Sequence, residues 1–292
     1  MIKGSIVALV TPFCADGKVN YLKLKELLQF HIDNNTDGVL LFGTTGEGST
    51  LSIKEKIKIA KYSIKYVKKK MFIILNAGTN STKETIKNVT ILSKLKPDAF
   101  LIITPYYNKG NEEGIYNHFK LIQYNSKIPI ILYNVPTRTT IDMSVSLIKR
   151  LSLLPNICGI KEASTNKEKL IELAKIQNDE FYWYSGNDNR MIEDIQIGAK
   201  GLIGVATNSH PSIVNKVIKL ALENKSEEAL LEYSRIKKYI NVLNLDVNPI
   251  MIKESMNVLN FNVGDFRLPL YKTSKDNKLK LIKAIREMTL WI

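Results

Sequence analysis

The sequence predicts an α/β protein, a (β/α)8 TIM barrel with a C-terminal helical extension. Short β-branched apolar runs recur roughly every 25–30 residues, each followed by a stretch with helical spacing. The runs are mostly continuous rather than alternating, as parallel strands buried on both faces must be. The turn after the first run, Val10-Thr11-Pro12-Phe13, lacks the glycine-rich G-x-G-x-x-G pattern favoured by the competing open, doubly wound sheet.

Taken in order, strands are expected at 5–10, 38–42, 71–75, 98–103, 129–133, 157–161, 181–185 and 201–205. Between them, Leu24, Leu27, Leu28 and His31 share one helical face, as do Ile115, Phe119 and Ile122. Capping boxes of the form Ser/Thr-x-x-Glu mark helix starts: Ser52 with Glu55, Ser81 with Glu84, Thr165 with Glu168. No linker or low-complexity stretch divides the chain. Beyond about residue 225 the pattern is purely helical. Leu230, Tyr233, Ile236, Ile240 and Leu243 form one stripe, and Leu281, Ile285, Met288 and Ile292 another. The expected organisation is a catalytic barrel over 1–225 with helices over 226–292 packed on it.

Composition narrows the function. Over 292 residues, 45% hydrophobic and 24% charged describes an ordinary globular protein. No apolar run approaches the ~20 residues that span a bilayer, so no membrane partner is expected. Met1-Ile2-Lys3-Gly4-Ser5 leads directly into strand-like Ile6-Val7-Ala8 without the layout of a signal peptide, which points to the cytoplasm. Cys14 and Cys158 are far apart and His31, His118 and His210 are scattered, so reduced thiols and no metal site are expected. The net charge of +14 raises nucleic acid as a partner. Only six of the 42 basic residues are arginine, however, and the lysines are dispersed. Their densest run, Lys68-Lys69-Lys70, ends an expected helix, where cations suit the dipole. No nucleic-acid motif accompanies them, so a solvated lysine-rich surface that attracts anionic substrates is the better reading.

Catalytic groups in such barrels sit at the C-terminal ends of the strands. Lys161 closes the apolar run Ile157-Cys158-Gly159-Ile160, where desolvation can lower its pKa. An ordinary lysine, pKa ≈ 10.4, is only about 0.4% neutral at pH 8; at a pKa of ~8 half the amines are nucleophilic, a shift of roughly 3 kcal/mol. A lysine merely reaching solvent is the bland alternative. Tyr133 ends the preceding strand, and its hydroxyl can relay protons or simply bond backbone in the core. Thr44 and Thr45, between glycines, offer N–H and hydroxyl donors to a carboxylate, or make an unremarkable turn. Arg138 can grip a carboxylate in bidentate fashion or lie free on the surface. Tyr106 and Tyr107 follow Pro105 on the fourth strand's loop, as packing or as site residues. No single residue decides, but all of them share one face of the barrel.

Read as a set, these segments resemble the 4-hydroxy-tetrahydrodipicolinate synthase (dihydrodipicolinate synthase) family over the whole chain. The resemblance rests on Gly-Ser-Ile-Val-Ala-Leu-Val-Thr-Pro-Phe at 4–13, Gly-Thr-Thr-Gly-Glu at 43–47, Ile-Thr-Pro-Tyr-Tyr-Asn at 103–108, Tyr-Asn-Val-Pro-Thr-Arg-Thr at 133–139 and Gly-Ile-Lys-Glu-Ala-Ser at 159–164. Ser-Gly-Asn-Asp at 185–188, Asn-Pro-Ile at 248–250 and Arg-Leu-Pro-Leu at 267–270 extend it. Sialic-acid lyases share the lysine but typically carry Ser-Thr in the turn and lack the arginine, so Thr44-Thr45 and Arg138 side with the synthase.

The resemblance implies a condensation of pyruvate with L-aspartate 4-semialdehyde in the diaminopimelate route to lysine, without cofactor or metal. Lys161 would form the imine. Tyr133, Thr44 and Tyr107 would relay protons, Tyr107 reaching in from a neighbouring subunit of a homo-oligomer, a dimer of dimers. Thr45 would hold the pyruvate carboxylate and Arg138 that of the second substrate, with backbone of Gly186 and Ile203 lining the pyruvate pocket. Lysine-inhibited members bind lysine at a separate dimer-interface pocket; Asn80, Glu84 and Tyr106 match it, whereas Ile53 and Lys56 stand where sensitive members have histidine. The chain also departs from the family pattern at Asn76-Ala77-Gly78 (often Gly-Thr-Gly), at Thr165 (usually glycine) and at Gly204 (frequently serine). Two rival readings are a sugar-acid aldolase or lyase, opposed by Arg138, and a basic scaffold or nucleic-acid-binding barrel, opposed by the complete relay.

Overall fold

Each apolar run pairs with the next through a helical crossover, and parallel pairing of this kind, repeated eight times, closes the sheet on itself. The computed structural model describes residues 2–67 and 69–289. Lys68 of the lysine run and Ile292 of the last stripe lie outside them.

The first half of the barrel comprises β1 (Gly4–Ala8), α1 (Tyr21–Asp33), β2 (Gly38–Leu41), α2 (Ile53–Val67), β3 (Phe72–Asn76), α3 (Thr82–Ser93), β4 (Ala99–Ile103) and α4 (Glu112–Tyr124). The second half runs through β5 (Ile130–Asn134), the single-turn α5 (Pro136–Thr139), α6 (Val145–Ser152), β6 (Ile157–Glu162), α7 (Lys167–Ile176), β7 (Tyr182–Ser185), α8 (Met191–Ile197), β8 (Gly201–Gly204) and α9 (Pro211–Leu222). The strands neighbour one another in sequence order, and β8 pairs back onto β1. Then come α10 (Ser226–Leu243), α11 (Ile250–Val258) and α12 (Lys275–Thr289), with α10 packed on α9 and α12.

Two apolar layers follow from strand alternation. Ile6, Leu40, Ile74, Leu101, Ile131 and Tyr184 point into the barrel. Val7, Val39, Leu75, Phe100, Leu132 and Ile160 point outward beneath the helices. The expected helical faces are buried there, including Leu24, Leu27, Leu28 and His31 on α1 and Ile115, Phe119 and Ile122 on α4. His31 belongs to the core: Nδ1 bonds the Thr36 hydroxyl at 3.1 Å, and burial pulls its pKa to about 3.

Two local expectations are corrected. The cap of α7 is Asn166, whose side chain accepts from the Lys169 N–H at 3.0 Å, so Thr165 lies just outside the helix. On α10 the buried face begins at Ala229, and Leu230 is 54% exposed. The Ser52–Glu55 and Ser81–Glu84 starts do cap through the serine hydroxyl. Among the described residues, no helix is long and apolar enough to cross a membrane.

Candidate active site

The position of Lys161 begins with a defect in strand pairing. Ile130 pairs with Ile157, but Ile131 pairs with Gly159, so Cys158 is an extra residue in β6. Such a bulge re-aims the strand beyond it. Ile157 and Ile160 pack outward, Cys158 turns toward the interior, and Lys161 ends the strand inside the barrel mouth. There Lys161 is only 6% exposed. Burial pulls its pKa down to about 8; the Asp188 carboxylate opposes the shift and the Arg138 guanidinium reinforces it.

Tyr133 is the ladder partner of Lys161 on β5, and the amine lies over its ring, 4.8 Å from the centroid. Burial raises the phenol pKa, against the pull of Arg138 and of the nearby Thr44 side chain. Thr44 and Thr45 occupy the turn after β2. The Thr45 hydroxyl accepts from the Asn248 side-chain amide at 3.1 Å. Opposite, the exposed Arg138 projects from α5, lines the cavity and donates to the Asn248 carbonyl at 3.2 Å.

Thr44, Thr45, Tyr133, Arg138, Lys161 and Gly186 thus surround one cavity of about 290 Å³, roofed by Ile240, Leu243 and Ile252 from the C-terminal helices. A pocket of this size and mixed lining suits small anionic molecules. Gly186 stands beside the amine, where an added Cβ would come within 3.0 Å of Lys161 Cε. Two further expected residues are not among those lining this cavity. Ile203 is fully buried in the barrel interior, and Val205, two residues on, is the β8-side residue that lines the cavity. Tyr107 is 90% exposed, with a left-handed φ of 73°, and is not among the lining residues of its own chain's cavity. Tyr106 lines an adjoining hollow with Thr44, Asn76, Arg138 and Asn248. Asn80 and Glu84 lie at the start of α3, where Glu84 is exposed and 3.5 Å from Lys87.

Sequence reasoning gave no role to Asp188 or Asn248, although both stood in quoted motifs. The Asp188 carboxylate lines the cavity and accepts from the N–H groups of Val205 and Ala206 at 3.0 Å, and burial raises its pKa. Gly204 is tied to it: a Cβ there would fall 2.8 Å from Asp188 Oδ1 and 2.5 Å from Leu202 Cδ2, so the serine frequent in the family would displace this carboxylate. The other departures are also placed. Asn76 donates to the Phe42 carbonyl at 2.9 Å, and Thr165 lines the outer cavity. Among the described residues, no cluster of three or more His, Cys, Asp or Glu could hold a metal ion.

Comparison with known proteins bears on this geometry. The pattern of the Dihydrodipicolinate synthetase family matches residues 1–288. The chain is 41% identical over 277 residues to 4-hydroxy-tetrahydrodipicolinate synthase 1 of Clostridium acetobutylicum, covering 95% of this chain and 94% of that protein. It superposes on the dihydrodipicolinate synthase of Aquifex aeolicus with a TM-score of 0.96 at 36% identity, over 99% of each chain. The same scores, 0.96 and 36% over 99% of each chain, hold for the chloride-inhibited enzyme of Acinetobacter baumannii, whose structure is a complex with pyruvate.

Proposed function

The chain belongs to the Dihydrodipicolinate synthetase family, and on that premise we propose that Lys161 is the residue through which it acts. The enzyme is a lyase that condenses pyruvate with L-aspartate 4-semialdehyde to 4-hydroxy-tetrahydrodipicolinate. The observation that carries the assignment of Lys161 is its buried amine, with a pKa of about 8, in the cavity shared with two threonines, a tyrosine and an arginine. At pH 8 about half of such amines are neutral and nucleophilic.

The chemistry then follows from the groups around it. The Lys161 lone pair attacks the keto carbon of pyruvate, and the keto oxygen takes up protons and leaves as water, giving a protonated imine. Tyr133, with the Thr44 side chain close by, moves those protons. Loss of a proton from the methyl carbon turns the imine into an enamine, with the imine nitrogen as electron sink. That carbon bonds to the aldehyde carbon of the second substrate, whose oxygen becomes a hydroxyl. The substrate's own amine next attacks the imine carbon, closes the ring and releases Lys161. Thr45 holds the pyruvate carboxylate, with Gly186 beside the amine and Ile203 in the layer behind, while Arg138 receives the carboxylate of aspartate semialdehyde. The exposure of Tyr107 supports its action in the site of a second copy, in an assembly of two dimers. We assign the enzyme to the cytoplasm.

Borohydride reduction in the presence of pyruvate tests this reading. It should fix one reduced pyruvyl group on Lys161, with a trapping rate that rises with pH and levels off above about pH 8. An adduct on another lysine, or none, overturns it.

A further inference from the structure

The glutamate of the Gly-Thr-Thr-Gly-Glu turn is not among the residues that line the reaction cavity. Glu47 is buried, bordering the adjoining hollow instead, and its Oε1 accepts from Lys253 Nζ at 2.7 Å while Oε2 accepts from the Arg267 backbone N–H at 3.0 Å. Lys253, on α11, also donates to the carbonyls of Asp265 at 2.7 Å and Thr11 at 3.3 Å. Neither side chain of the pair has any exposed surface.

A wholly buried ion pair is poor evidence of a stability device, because desolvating both charges offsets most of their attraction. What such a pair does supply is direction. The turn needs it: Phe42 and Glu47 both hold left-handed backbone, with φ of 63° and 51°, and they bracket Thr44 and Thr45. The segment that leads into α11 grips the same turn a second time, through the Asn248 amide on the Thr45 hydroxyl. The same stretch of chain therefore holds the threonine turn at two points, Asn248 on Thr45 and Lys253 on Glu47.

We infer that the buried Glu47–Lys253 pair is a positioning device for the reaction, setting the Thr44 and Thr45 hydroxyls against Lys161 from outside the cavity. The inference rests on the reading of Lys161 as the imine-forming residue. Glu47 and Lys253 touch no reacting atom and act through the two threonines. Loosening the pair therefore weakens the hold on pyruvate more than that on the second substrate, because Arg138 is carried by α5 and meets this segment only at the Asn248 carbonyl.

The test is steady-state kinetics for each substrate, with melting temperatures, on Glu47→Gln, Lys253→Met and the double variant. The double variant leaves no buried charge uncompensated. We expect its pyruvate KM to rise at least tenfold, since sub-ångström placement of a binding group governs rates of this size. The KM for aspartate semialdehyde should change less than threefold. Glu47→Gln keeps a carbonyl oxygen for Lys253, so it should show a smaller rise in pyruvate KM than Lys253→Met, and this comparison decides if the double variant fails to fold. A folded double variant with unchanged pyruvate KM, or with both KM values rising together, overturns the inference, as does an equal effect of the two single changes. Borohydride trapping on the unsubstituted protein is run alongside: its failure overturns the imine reading itself, whereas normal trapping with unchanged pyruvate KM in the variants overturns the positioning role alone.

Discussion

The Lys161 amine rests over the face of the Tyr133 ring, 4.8 Å from its centroid, and the two residues are direct partners across β5 and β6. The ring and the hydroxyl of Tyr133 therefore do separate work. The negative face of the ring favours a cation above it, be it the ammonium or the protonated imine. The hydroxyl, near Thr44, is the part that can move a proton.

Tyr133→Phe separates these functions. It keeps the ring and removes the relay, so pyruvate trapping and turnover should slow by roughly 10²–10⁴-fold, the range of general acid–base contributions. The pH at which trapping levels off should stay near that of the unsubstituted enzyme. Rapid-quench trapping across pH 6–10 reads both quantities. A large change in the inflection with little loss of rate would show that the hydroxyl tunes Lys161 rather than relaying protons.

Lysine at this position is costly to the fold. Its pKa drops from 10.5 to about 8 on folding, so below pH 8 the folded protein must hold a charge that the unfolded chain holds more easily. The shift corresponds to about 3 kcal/mol of destabilisation. It is present in full below pH 8 and fades as pH rises toward the ordinary lysine value. Lys161→Met should accordingly raise stability by up to about 3 kcal/mol at pH 7, with a gain that shrinks by pH 10. Denaturant titrations at the two pH values measure it. A loss at pH 7, or a gain that grows with pH, contradicts the sign.

Much of this arrangement was legible because it depends on local pattern. Continuous apolar runs announced the strands to within about two residues, and a barrel's strand ends announced where Thr44, Tyr133 and Lys161 would converge. Contacts between distant parts of the chain were not legible. Asn248 meets Thr45 across 203 residues of sequence, and no periodicity carries that information. Asp188 takes its place from the Val205 and Ala206 N–H groups in the same way. The Cys158 bulge is a matter of register, which apolar composition leaves open. Two misplacements were smaller. Asn166 outcompeted the adjacent Thr165 for the cap of α7, and Ala229 took the buried position on α10 next to Leu230.

Arg138 affects two measurements with different signatures. As a carboxylate clamp it should contribute about 1.5–3 kcal/mol, so Arg138→Ala should lower kcat/KM for aspartate semialdehyde at least tenfold while pyruvate is still trapped. As a positive charge near Lys161 it depresses the amine's pKa, so its removal should move the trapping inflection to higher pH. Unchanged efficiency toward the semialdehyde would take Arg138 out of the site.

Tyr107 sits exposed on a strained, left-handed residue outside its own chain's cavity. If it completes the relay of a second copy, Lys161→Ala and Tyr107→Phe chains are each inactive alone, and mixing them should restore part of the activity. One hybrid site then carries both intact residues. Native mass spectrometry confirms that subunits have exchanged, and no recovery after exchange counts against a shared site.

Feedback by lysine should be weak or absent. Three residues would favour a lysine site if the family resemblance extends to regulation: Asn80, Glu84 and Tyr106, of which Glu84 could pair with an ammonium. The structure already gives two of them other work. Glu84 takes the cap of α3 from Ser81 through its N–H and stands 3.5 Å from Lys87, and the Asn80 carbonyl accepts from the Asn108 side chain at 2.9 Å. On α2, Ile53 has no polar group to replace a histidine's hydrogen bonds. Lys56 is partly buried, and burial alone weakens its hold on a proton. A cationic ligand beside it must either meet a like charge, which at about 4 Å costs about 1 kcal/mol even in water, or drive the proton off. An initial-rate titration with L-lysine at fixed pyruvate and semialdehyde decides the matter. The expected curve stays nearly flat through the low-millimolar range, and half-inhibition below 1 mM, on the order of 4 kcal/mol of binding, would refute it.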